Sequence, residues 1–360
     1  MNVIHLISNK VWGGGARYAL DLCRYLADDG HNVKVYTRRK AAVRDEFARR
    51  GLLGGTLRMG GAWDFLTPIR LASAIRRMQG PVVVHTHCFK DAYTALAARR
   101  LCKNRDDIRI VTTQHTVAAA VTDASHLRTY SELDAIIFVS ETARREFMST
   151  SPAVDSSRLH VVRGSVPAQT RERRDDGDSP LRLIYIGPLA AEKGLDVLLE
   201  ALRSLAGENW ILDIFGTGEG KYVMPLISMC KRTFPDGRVH WFGNSDDVPG
   251  VLANAHVAVV PSREPEAFCP VILEAFSQET AVISADGGAR TEIIDDGRNG
   301  MLVPAGDVGA MARAVKRLID DSDLRRRLAH EGLESYRREY GYENFYNSIL
   351  SIYNDNGRAH

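Results

Sequence analysis

The sequence predicts an α/β protein made of two Rossmann-like domains, each built on a parallel sheet. The chain has 360 residues, more than one hydrophobic core usually supports, so two domains are expected. Short apolar segments of strand length alternate with longer helical segments along the whole chain, as in βαβ units. A polar, charged stretch flanked by prolines interrupts this alternation near the middle, and the pattern then begins again.

The first half contains six predicted strands separated by helical segments. Each strand is a short apolar run bounded by turn residues. They lie at 3–8, 32–37, 82–87, 108–114, 135–140 and 159–163. Between the first two strands, the run YALDLCRYLA (18–27) has the apolar period of an amphipathic helix. The first domain is therefore predicted to cover residues 1–166.

Residues 167–180 form the expected linker, because they are polar, charged and flanked by prolines. Six further strands follow, at 181–187, 210–216, 238–243, 256–262, 281–286 and 300–305. The second domain is predicted to cover residues 181–340. The chain is predicted to be helical from about 310 onwards, and this tail carries the aromatic residues Tyr336, Tyr340, Tyr342, Phe345, Tyr346 and Tyr353. Two such domains facing each other would form a cleft at the carboxyl ends of their strands, where open α/β sheets bind ligands.

Composition and charge exclude several classes of protein. The formal net charge is only +2, whereas proteins that bind nucleic acid concentrate basic charge. The five cysteines are widely spaced without a CxxC pair, so reduced thiols are expected and not disulfides or zinc ligands. The sequence has no apolar run of about eighteen residues and no secretory leader, which predicts a cytoplasmic protein without a membrane span.

Two glutamates, Glu266 and Glu274, form the most informative local feature. A predicted strand ends at 262 and an apolar helix begins at 270, so Glu266 lies in a loop and Glu274 inside the helix. The first N–H groups of a helix lack partners within it and can bind an anion or a sugar hydroxyl. An acidic residue in an apolar helix needs hydrogen bonds if it is buried, and ribose hydroxyls can supply them. The alternative is that both carboxylates are solvated.

Glycines and a lysine lie at two other strand ends. The glycines at 13–15 follow the first strand and would let backbone amides approach a phosphate or sugar, unless they are only a flexible connection. They do not complete a dinucleotide fingerprint, because Tyr18 occupies the third glycine position. Lys193 and Gly194 precede an apolar helix of the second half, where the ammonium could meet an anion or could be solvated. The spacing of a P-loop is absent.

Histidines lie at the ends of the third and fourth strands: His85 and His87 close the run VVVHTH, and His115 follows the strand 108–114. His115 is expected near the mouth of the cleft, where a ring nitrogen could hydrogen-bond a sugar hydroxyl or polarise a leaving group. His85 and His87 are interpreted as structural, because no carboxylate or third histidine nearby in the sequence completes a metal site. No Asp-x-Asp stands at a strand end, so no requirement for a divalent metal is expected. No other cofactor is expected either.

Taken together, these segments resemble the retaining, nucleotide-sugar-dependent glycosyltransferases of group 1 (family four), which have the GT-B fold. The resemblance covers nearly the whole chain. It is carried by GGGARYALDLCRYLADDGHNVKVYT, VVVHTH, His115, GPLAAEKGLDVLLEAL, DIFGTGEG, PSREPEAFCPVILEA, AVISADGG and EIIDDGRNGMLV. It implies that the two parallel sheets face each other across a cleft and that a C-terminal helix, residues 341–360, returns to the first domain.

The resemblance also implies roles for individual positions. Lys193 would contact the donor diphosphate, Glu274 the ribose hydroxyls and Glu266 the transferring sugar. His115 would lie beside that sugar, so the implied catalytic residues are Glu266, His115 and Lys193. Other implied donor-binding positions act mainly through the backbone; they are Gly14, Gly15, Gly216, Phe268 and Cys269.

Several positions depart from the family pattern. Pro188 stands where an arginine is usual, so one cationic contact to the diphosphate is missing. Arg263 could replace it, as could Arg163, which lies where an Asn-Gly pair commonly ends the first domain. Cys269 and Glu279 each replace a frequent glycine, and the side chain of Cys269 would crowd the donor sugar. Because of these changes, the resemblance does not identify the donor nucleotide or the donor sugar.

The resemblance implies transfer of a sugar from a nucleoside diphosphate sugar to an acceptor hydroxyl, in bacterial surface-polysaccharide, lipopolysaccharide or glycolipid assembly. The acceptor would be a saccharide or a lipid-linked saccharide. A nucleotide-sugar epimerase or hydrolase, or a weakened nucleotide-sugar-binding protein, are the alternatives; a nicotinamide-dependent oxidoreductase is disfavoured by the glycine spacing. Basic residues between 95 and 109 could rest peripherally on the inner face of the membrane, or be an ordinary solvated helix face.

Overall fold

The computed structural model describes residues 1–10, 12–60, 64–167, 171 and 180–355, and the chain folds into two compact units. Unit 1 comprises Met1–Gly164 together with Tyr342–His360, and unit 2 comprises Ser165–Gly341. The predicted linker at 167–180 lies mostly outside the described residues. The end of the chain therefore belongs to the same unit as its beginning.

Unit 1 contains a seven-stranded parallel sheet with the strand order β3-β2-β1-β4-β5-β6-β7. Its strands are β1 Asn2–Ile7, β2 Asn32–Arg38, β3 Leu53–Leu57, β4 Val82–Thr86, β5 Ile108–Gln114, β6 Ala135–Phe138 and β7 Leu159–Val161. The six predicted strands are confirmed with ends within two residues. The edge strand β3 was not predicted, because its sequence LGGTL contains two glycines, which weaken a strand pattern.

The helices of the first part of the chain lie between these strands. They are α1 Gly14–Asp28, α2 Ala42–Arg49, α3 Leu66–Arg76, α4 Phe89–Arg100, α5 Ala124–Glu132 and α6 Glu141–Met148. Every residue of β4 is buried, as expected for a central strand covered by helices on both faces.

Unit 2 contains a six-stranded parallel sheet with the order β10-β9-β8-β11-β12-β13. Its strands are β8 Leu181–Ile186, β9 Trp210–Phe215, β10 Val239–Gly243, β11 Val257–Val260, β12 Ala281–Ala285 and β13 Met301–Val303. All six were predicted. Alternate residues of β11 enter two separate apolar cores, Val257 and Val259 on one face and Ala258 and Val260 on the other, so both faces of this sheet are covered.

In the described part of unit 2, seven α-helices connect or cover the strands. They are α7 Leu195–Arg203, α8 Gly220–Thr233, α9 Val248–Ala253, α10 Pro270–Ser277, α11 Arg290–Ile293, α12 Val308–Asp320 and α13 Ser322–Ser335. The last helix, α14 Tyr342–Asn354, lies in unit 1. Within the described part of the chain, no helix is both long and apolar enough to cross a bilayer.

The aromatic residues of α14 anchor it to unit 1. The Tyr342 ring stacks on Tyr25 with 3.5 Å between ring centroids, and the Tyr346 hydroxyl lies 2.8 Å from an Asp29 carboxylate oxygen. At the other end of the helix the Tyr353 hydroxyl lies 2.5 Å from His85 Nδ1. The tyrosines of α14 are therefore packing residues of the first unit, whereas Tyr336 and Tyr340, earlier in the predicted helical tail, belong to an apolar core of unit 2.

Helix α10 ends in a Schellman motif that places Glu279 in a left-handed conformation. The Thr280 N–H donates to the Ala275 carbonyl at 3.0 Å and the Glu279 N–H to the Phe276 carbonyl at 3.0 Å. The φ angle of Glu279 is +54°, a region in which glycine is usual because a Cβ is strained there. The preference for glycine at this position, expected from the sequence resemblance, thus has a backbone cause.

Candidate active site

The loop between β11 and α10 carries Glu266, whose carboxylate lies between two cations. Its Oε2 is 3.1 Å from Lys193 Nζ, and its Oε1 is 3.3 Å from Arg290 Nη1. The backbone is fixed as well: the Ala289 N–H donates to the Glu266 carbonyl at 2.7 Å, and a Cβ on Gly288 would collide with the Glu266 backbone. We call Lys193, Glu266 and Arg290 the charge network.

Arg290 is fully buried and organises this loop. Its guanidinium donates to three carbonyls: Ser262 at 3.0 Å, Asp286 at 2.6 Å and Glu264 at 3.1 Å. A buried cation is tolerated only when it is paired and hydrogen-bonded. With Lys193 and Glu266, it gives the charge network a formal charge of +1. Arg290 carries no signal in the sequence, because its neighbours in space come from separate loops.

Lys193 ends a short 3₁₀ turn, Ala191–Lys193, in front of α7. Gly194 follows with φ +67°, and a Cβ there would collide with the Pro261 carbonyl. Only glycine therefore allows the turn to pack against the end of the β11 strand, which brings Lys193 to Glu266. The lysine side chain retains 26% exposure, so an incoming anion can reach it.

Arg263 does not replace the cation missing at Pro188 in this structure. Its guanidinium makes two bonds of 2.6 and 2.7 Å to the Asp196 carboxylate in the first turn of α7 and a third to the Ala191 carbonyl. Burial alone would raise the pKa of Asp196, but the hydrogen bonds from Arg263 bring it below its usual value. Arg263 thus ties the Glu266 loop to α7, and Arg290, not Arg263, is the second cation of the network.

The start of α10 supplies unused backbone donors. The amides of Phe268 and Cys269 donate to no carbonyl or side chain among the described residues. Glu274 is only 6% exposed, which rules out a solvated position for it. Cys269 is 1% exposed and belongs to the apolar core of this face, and burial raises the pKa of its thiol well above the usual value. The expectation that its side chain crowds a donor sugar is therefore wrong.

Gly216 lies immediately after β9, and its amide donates to the Gly243 carbonyl at 2.7 Å. A Cβ on Gly216 would collide with the carbonyl of Gly187, which follows β8. Because all strands of this sheet are parallel, the turns after β8, β9 and β11 lie at its carboxyl edge, where open α/β sheets bind ligands. Lys193, Gly216 and the Glu266 loop thus share one edge.

The predicted site residues of the first half are in unit 1. Gly14 and Gly15 form the start of α1, and a Cβ on Gly15 would come within 3.2 Å of His115 Cγ. His115 follows β5 and meets the edge of Tyr18 with 4.9 Å between ring centroids. Arg163 is exposed after β7, and its charge, after that of Arg144, helps lower the pKa of Glu141. The structure brings Gly15 and His115 together.

Four histidines of unit 1 form a cluster that the sequence did not reveal. His5 in β1 lies in register with His85 in β4, and His5 Nδ1 is 3.1 Å from His87 Nε2. His87 Nδ1 is 3.0 Å from His115 Nε2. No third histidine is near His85 and His87 in the sequence, but strand pairing brings His5 to them across about eighty residues.

Comparison with known families covers nearly the whole chain. Residues 12–169 match the family described as Glycosyltransferase Family 4, and residues 168–334 match Glycosyl transferases group 1. Among individual proteins, the alpha-D-kanosaminyltransferase of Streptomyces kanamyceticus is 25% identical over 358 residues, with 91% of each chain covered. The lipopolysaccharide core biosynthesis glycosyltransferase LpsE of Rhizobium meliloti is 31% identical over 191 residues, which are 52% of this chain and 54% of LpsE.

Solved structures show the same architecture. Anabaena Alr3699/HepE, crystallised with UDP and glucose, superimposes with a TM-score of 0.83 at 16% identity and covers 99% of this chain and all of its own. The lipopolysaccharide outer core galactosyltransferase WaaB superimposes with a TM-score of 0.74 at 18% identity, covering 98% of this chain and 99% of WaaB. At these identities the similarity shows the fold, and both of its Rossmann-like units are included.

Proposed function

Because the chain belongs to the glycosyltransferases of group 1 (family 4) and has the GT-B fold, we propose that it uses a nucleoside diphosphate sugar as donor and transfers the sugar with retention of anomeric configuration. The observation that carries the donor class is the charge network beside the unused amides of Phe268 and Cys269. This arrangement offers an ammonium and two N–H groups to an anion at a helix N-terminus.

Binding of a diphosphate would rearrange the charge network. Lys193 now pairs with Glu266 at 3.1 Å, and a phosphate oxygen would compete for the same ammonium. Arg290 keeps Glu266 in place, because it is buried and bonded to three carbonyls. The carboxylate is then left to accept hydrogen bonds from sugar hydroxyls. Glu274, almost fully buried in α10, is proposed to receive the ribose hydroxyls.

In the proposed reaction the bond between the anomeric carbon and the diphosphate oxygen breaks while the acceptor oxygen bonds to the same face of the sugar. The acceptor proton passes to the leaving phosphate, so no enzymic nucleophile is needed. Negative charge grows on the diphosphate, and Lys193 with the amides of Phe268 and Cys269 stabilises it. Electrostatic stabilisation of this kind is often the largest contribution to a rate enhancement. His115 of unit 1 is proposed to contact the transferring sugar.

We propose that no divalent metal is required. In metal-dependent phosphate chemistry a cation neutralises the leaving group, and here Lys193 and the helix amides would do so. Among the described residues, the one group of three potential metal ligands is His5, His85 and His87, and it contains no carboxylate. Transfer activity should therefore persist in excess EDTA. A loss that added Mg²⁺ or Mn²⁺ restores would contradict this proposal.

The first experiment is a thermal-shift screen of nucleotide sugars, because donor binding stabilises the folded protein by mass action. The donor that binds is then incubated with candidate acceptors, and the anomeric configuration of the product is read by NMR. We expect a product with the configuration of the donor. Complete consumption of donor without any acceptor would indicate a hydrolase or epimerase, and binding without transfer would indicate a binding protein.

Variants of the charge network test the assignment of residues. Lys193→Met should reduce the rate of transfer by about 10²–10³-fold, the range for removal of one electrostatic donor. Lys221→Met is the matched control, since Lys221 is a strongly exposed lysine of the same unit that pairs with Glu219, and it should stay within about twofold of the wild type. If Lys193→Met and Glu266→Gln both transferred sugar at the normal rate with normal donor affinity, the assignment would be refuted.

We further propose that the acceptor is lipid-linked and that a patch of α3 rests on an anionic bilayer. Leu66, Ile69 and Arg70 of this helix are exposed, and so are the residues that flank it, Phe65 (71% exposed) and Arg77. Residues 34–77 contain eleven lysines and arginines and only three acids. Apolar side chains among basic charges suit an anionic lipid surface. The patch begins at the carboxyl edge of the sheet, the edge that also carries His115.

The predicted membrane surface at 95–109 is less suitable. Arg99 pairs with Asp134, Arg100 with Glu132 and Arg109 with Asp355. Carboxylates of the protein therefore already neutralise these three charges. In sedimentation with phosphatidylglycerol vesicles at low salt, we expect the wild type to bind and a Phe65→Ser/Leu66→Ser variant to remain in the supernatant. Arg100→Ser serves as the control and should bind as the wild type does. Equal binding of all three would refute the patch.

A further inference from the structure

Three imidazoles of unit 1, those of His5, His87 and His115, form a hydrogen-bonded row that ends at His115. The hydrogen-bonded nitrogens are 3.1 Å apart between His5 and His87 and 3.0 Å apart between His87 and His115. The corresponding ring centroids are 5.4 and 5.3 Å apart, and each pair of ring planes meets at 19°. Each centroid distance exceeds the N···N distance by about one ring width. The rings therefore lie edge to edge and nearly coplanar.

The nitrogens of this row are placed to share hydrogen bonds and not to coordinate a metal ion. Nitrogen atoms of His5, His85 and His87 lie within 4.8 Å of one another, which would suggest a metal site. However, the bonded nitrogens of His5 and His87 point at each other across 3.1 Å, while a zinc ion needs about 2.0–2.1 Å from each converging nitrogen. His85 already bonds Tyr353 and Thr113, at 2.5 and 2.7 Å. The space between His5 and His87 holds one hydrogen bond.

All three rings of the row are neutral at pH 7. Burial lowers the pKa of His5 to about 3 and that of His115 to about 4, and it brings the pKa of His87 well below the usual value. A neutral imidazole has one N–H donor and one nitrogen lone pair. A row of neutral rings can therefore hold its protons in only two ways, with every N–H pointing towards His115 or every N–H pointing towards His5.

The far end of the row distinguishes the two arrangements. His5 Nε2 is buried and has no hydrogen-bond partner among the described residues. If the N–H groups pointed towards His5, this atom would be a buried donor without an acceptor, which is rare in native proteins. In the opposite arrangement it is a buried lone pair, which is the more tolerated state, and His5 Nδ1–H donates to His87 Nε2. His87 Nδ1–H then donates to His115 Nε2.

We propose that His5 and His87 are positioning residues that fix His115 as the Nδ1–H tautomer, so that its remaining nitrogen is a hydrogen-bond donor to the ligand. His115 Nδ1 makes no hydrogen bond to a described residue, and it is not buried as His5 Nε2 is. A ligand can therefore reach it. Its partner is then an oxygen lone pair of the sugar or of the phosphate. The choice of ligand rests on the proposed glycosyl transfer; the tautomer does not.

Side-chain ¹H–¹⁵N correlation spectra of the uniformly labelled full chain test the tautomer directly. Signals of His115 are assigned by their loss in His115→Gln. We expect a protonated Nδ1 and an unprotonated Nε2 on His115, with the same pattern on His87. An Nε2–H tautomer of His115 would overturn the proposal. Because this measurement needs no substrate, it stands apart from any failure of the proposed function.

Substitution of His5 tests whether the row acts at a distance. His5→Leu removes the first donor, and we expect His115 to become a mixture of tautomers and kcat/KM to fall about fivefold, the factor that one neutral hydrogen bond is worth. His5→Asn retains an N–H near the position of Nδ1 and should restore both the tautomer and most of the activity. His330→Asn, an exposed histidine of unit 2, is the control for general effects.

Two outcomes would contradict a positioning role. One is a His5→Leu protein that folds with an unchanged His115 spectrum and unchanged kcat/KM. The other is His5→Asn with both properties lost although its thermal unfolding is normal. If His5→Leu does not fold, the spectrum of the wild type and the behaviour of His5→Asn still decide the question.

Discussion

Replacing Glu279 by glycine should stabilise unit 2, because this residue occupies the left-handed position of the Schellman motif that ends α10. Its φ angle is +54°, and the two backbone bonds of the motif hold it there. A residue with a Cβ loses about 1–2 kcal/mol in this region relative to glycine. Glutamate also contacts His330 at 3.3 Å on the surface.

Three contributions are added to obtain the expected size of the effect. Relief of backbone strain adds about 1.5 kcal/mol to the free energy of unfolding. The greater freedom of glycine in the unfolded chain removes about 0.7 kcal/mol, and loss of the exposed contact with His330 removes about 0.3 kcal/mol. The net gain is about 0.5 kcal/mol. For a unit of this size, that corresponds to a rise of about 1–2 °C in the unfolding temperature.

Differential scanning calorimetry of the full chain measures the effect, and Glu279→Ala is the matched control. Alanine loses the contact with His330 but keeps the Cβ and therefore the strain. We expect the glycine variant to exceed the alanine variant by about 0.8 kcal/mol, or about 2–3 °C. A glycine variant that melts at or below the alanine variant would show that the strain is not expressed and would refute the reasoning.

Three further predictions concern unit 2. Gly194→Ala should lower the free energy of unfolding by at least about 2 kcal/mol in denaturant titration, because the backbone has a positive φ and the added Cβ would collide with the Pro261 carbonyl. Gly237→Ala is the control: Gly237 also has a positive φ but open space around it, so this variant should lose only about 1 kcal/mol. Arg290→Met should lower transfer by about 10²-fold or more and destabilise the unit by about 3–5 kcal/mol, and normal activity would show that Glu266 needs no buried partner. The pKa of Asp196 is lowered in the folded state, so its stabilising effect is present above its ordinary pKa of 3.8 and is lost as pH falls through the lowered pKa. Asp196→Asn should therefore lose less stability than the wild type as pH falls below 3.8. A plot of stability against pH as steep as that of the wild type would contradict the pairing of Asp196 with Arg263.

Short apolar runs predicted the two parallel sheets, because each buried strand is itself a recognisable apolar segment of the sequence. The strands of unit 2 are continuous runs such as VAVV and AVISA, and the structure contains both. β3 was missed because glycines at 54 and 55 remove that signal. Its position at the edge of the sheet depends on pairing with β2, a tertiary contact that allows a weak strand sequence to persist.

The candidate site was only partly predictable, because residue types show which groups exist but not which groups meet. The loop with Glu266 and the turn with Lys193 were found from their places after strands. Arg263 was considered as one possible replacement for the missing cation, because its partner in space, Asp196, lies 67 positions earlier and could not be recognised from the sequence. Arg290 and His5 were overlooked for the same reason: each is polar, fully buried and joined to residues from other segments.

The attachment of α14 to unit 1 has a consequence for synthesis of the chain on the ribosome. Tyr342 stacks on Tyr25 and Tyr353 bonds His85, so the first unit needs residues that are translated after the whole of the second. At about 5–20 residues per second, the interval between Gly164 and Tyr342 lasts roughly 10–35 s. During that time Tyr25 and His85 lack the aromatic side chains of α14 that contact them in the folded unit. Exposed apolar surface of this kind is prone to aggregate while the chain is incomplete, and we expect truncation before Tyr342 to impair the first unit and not the second.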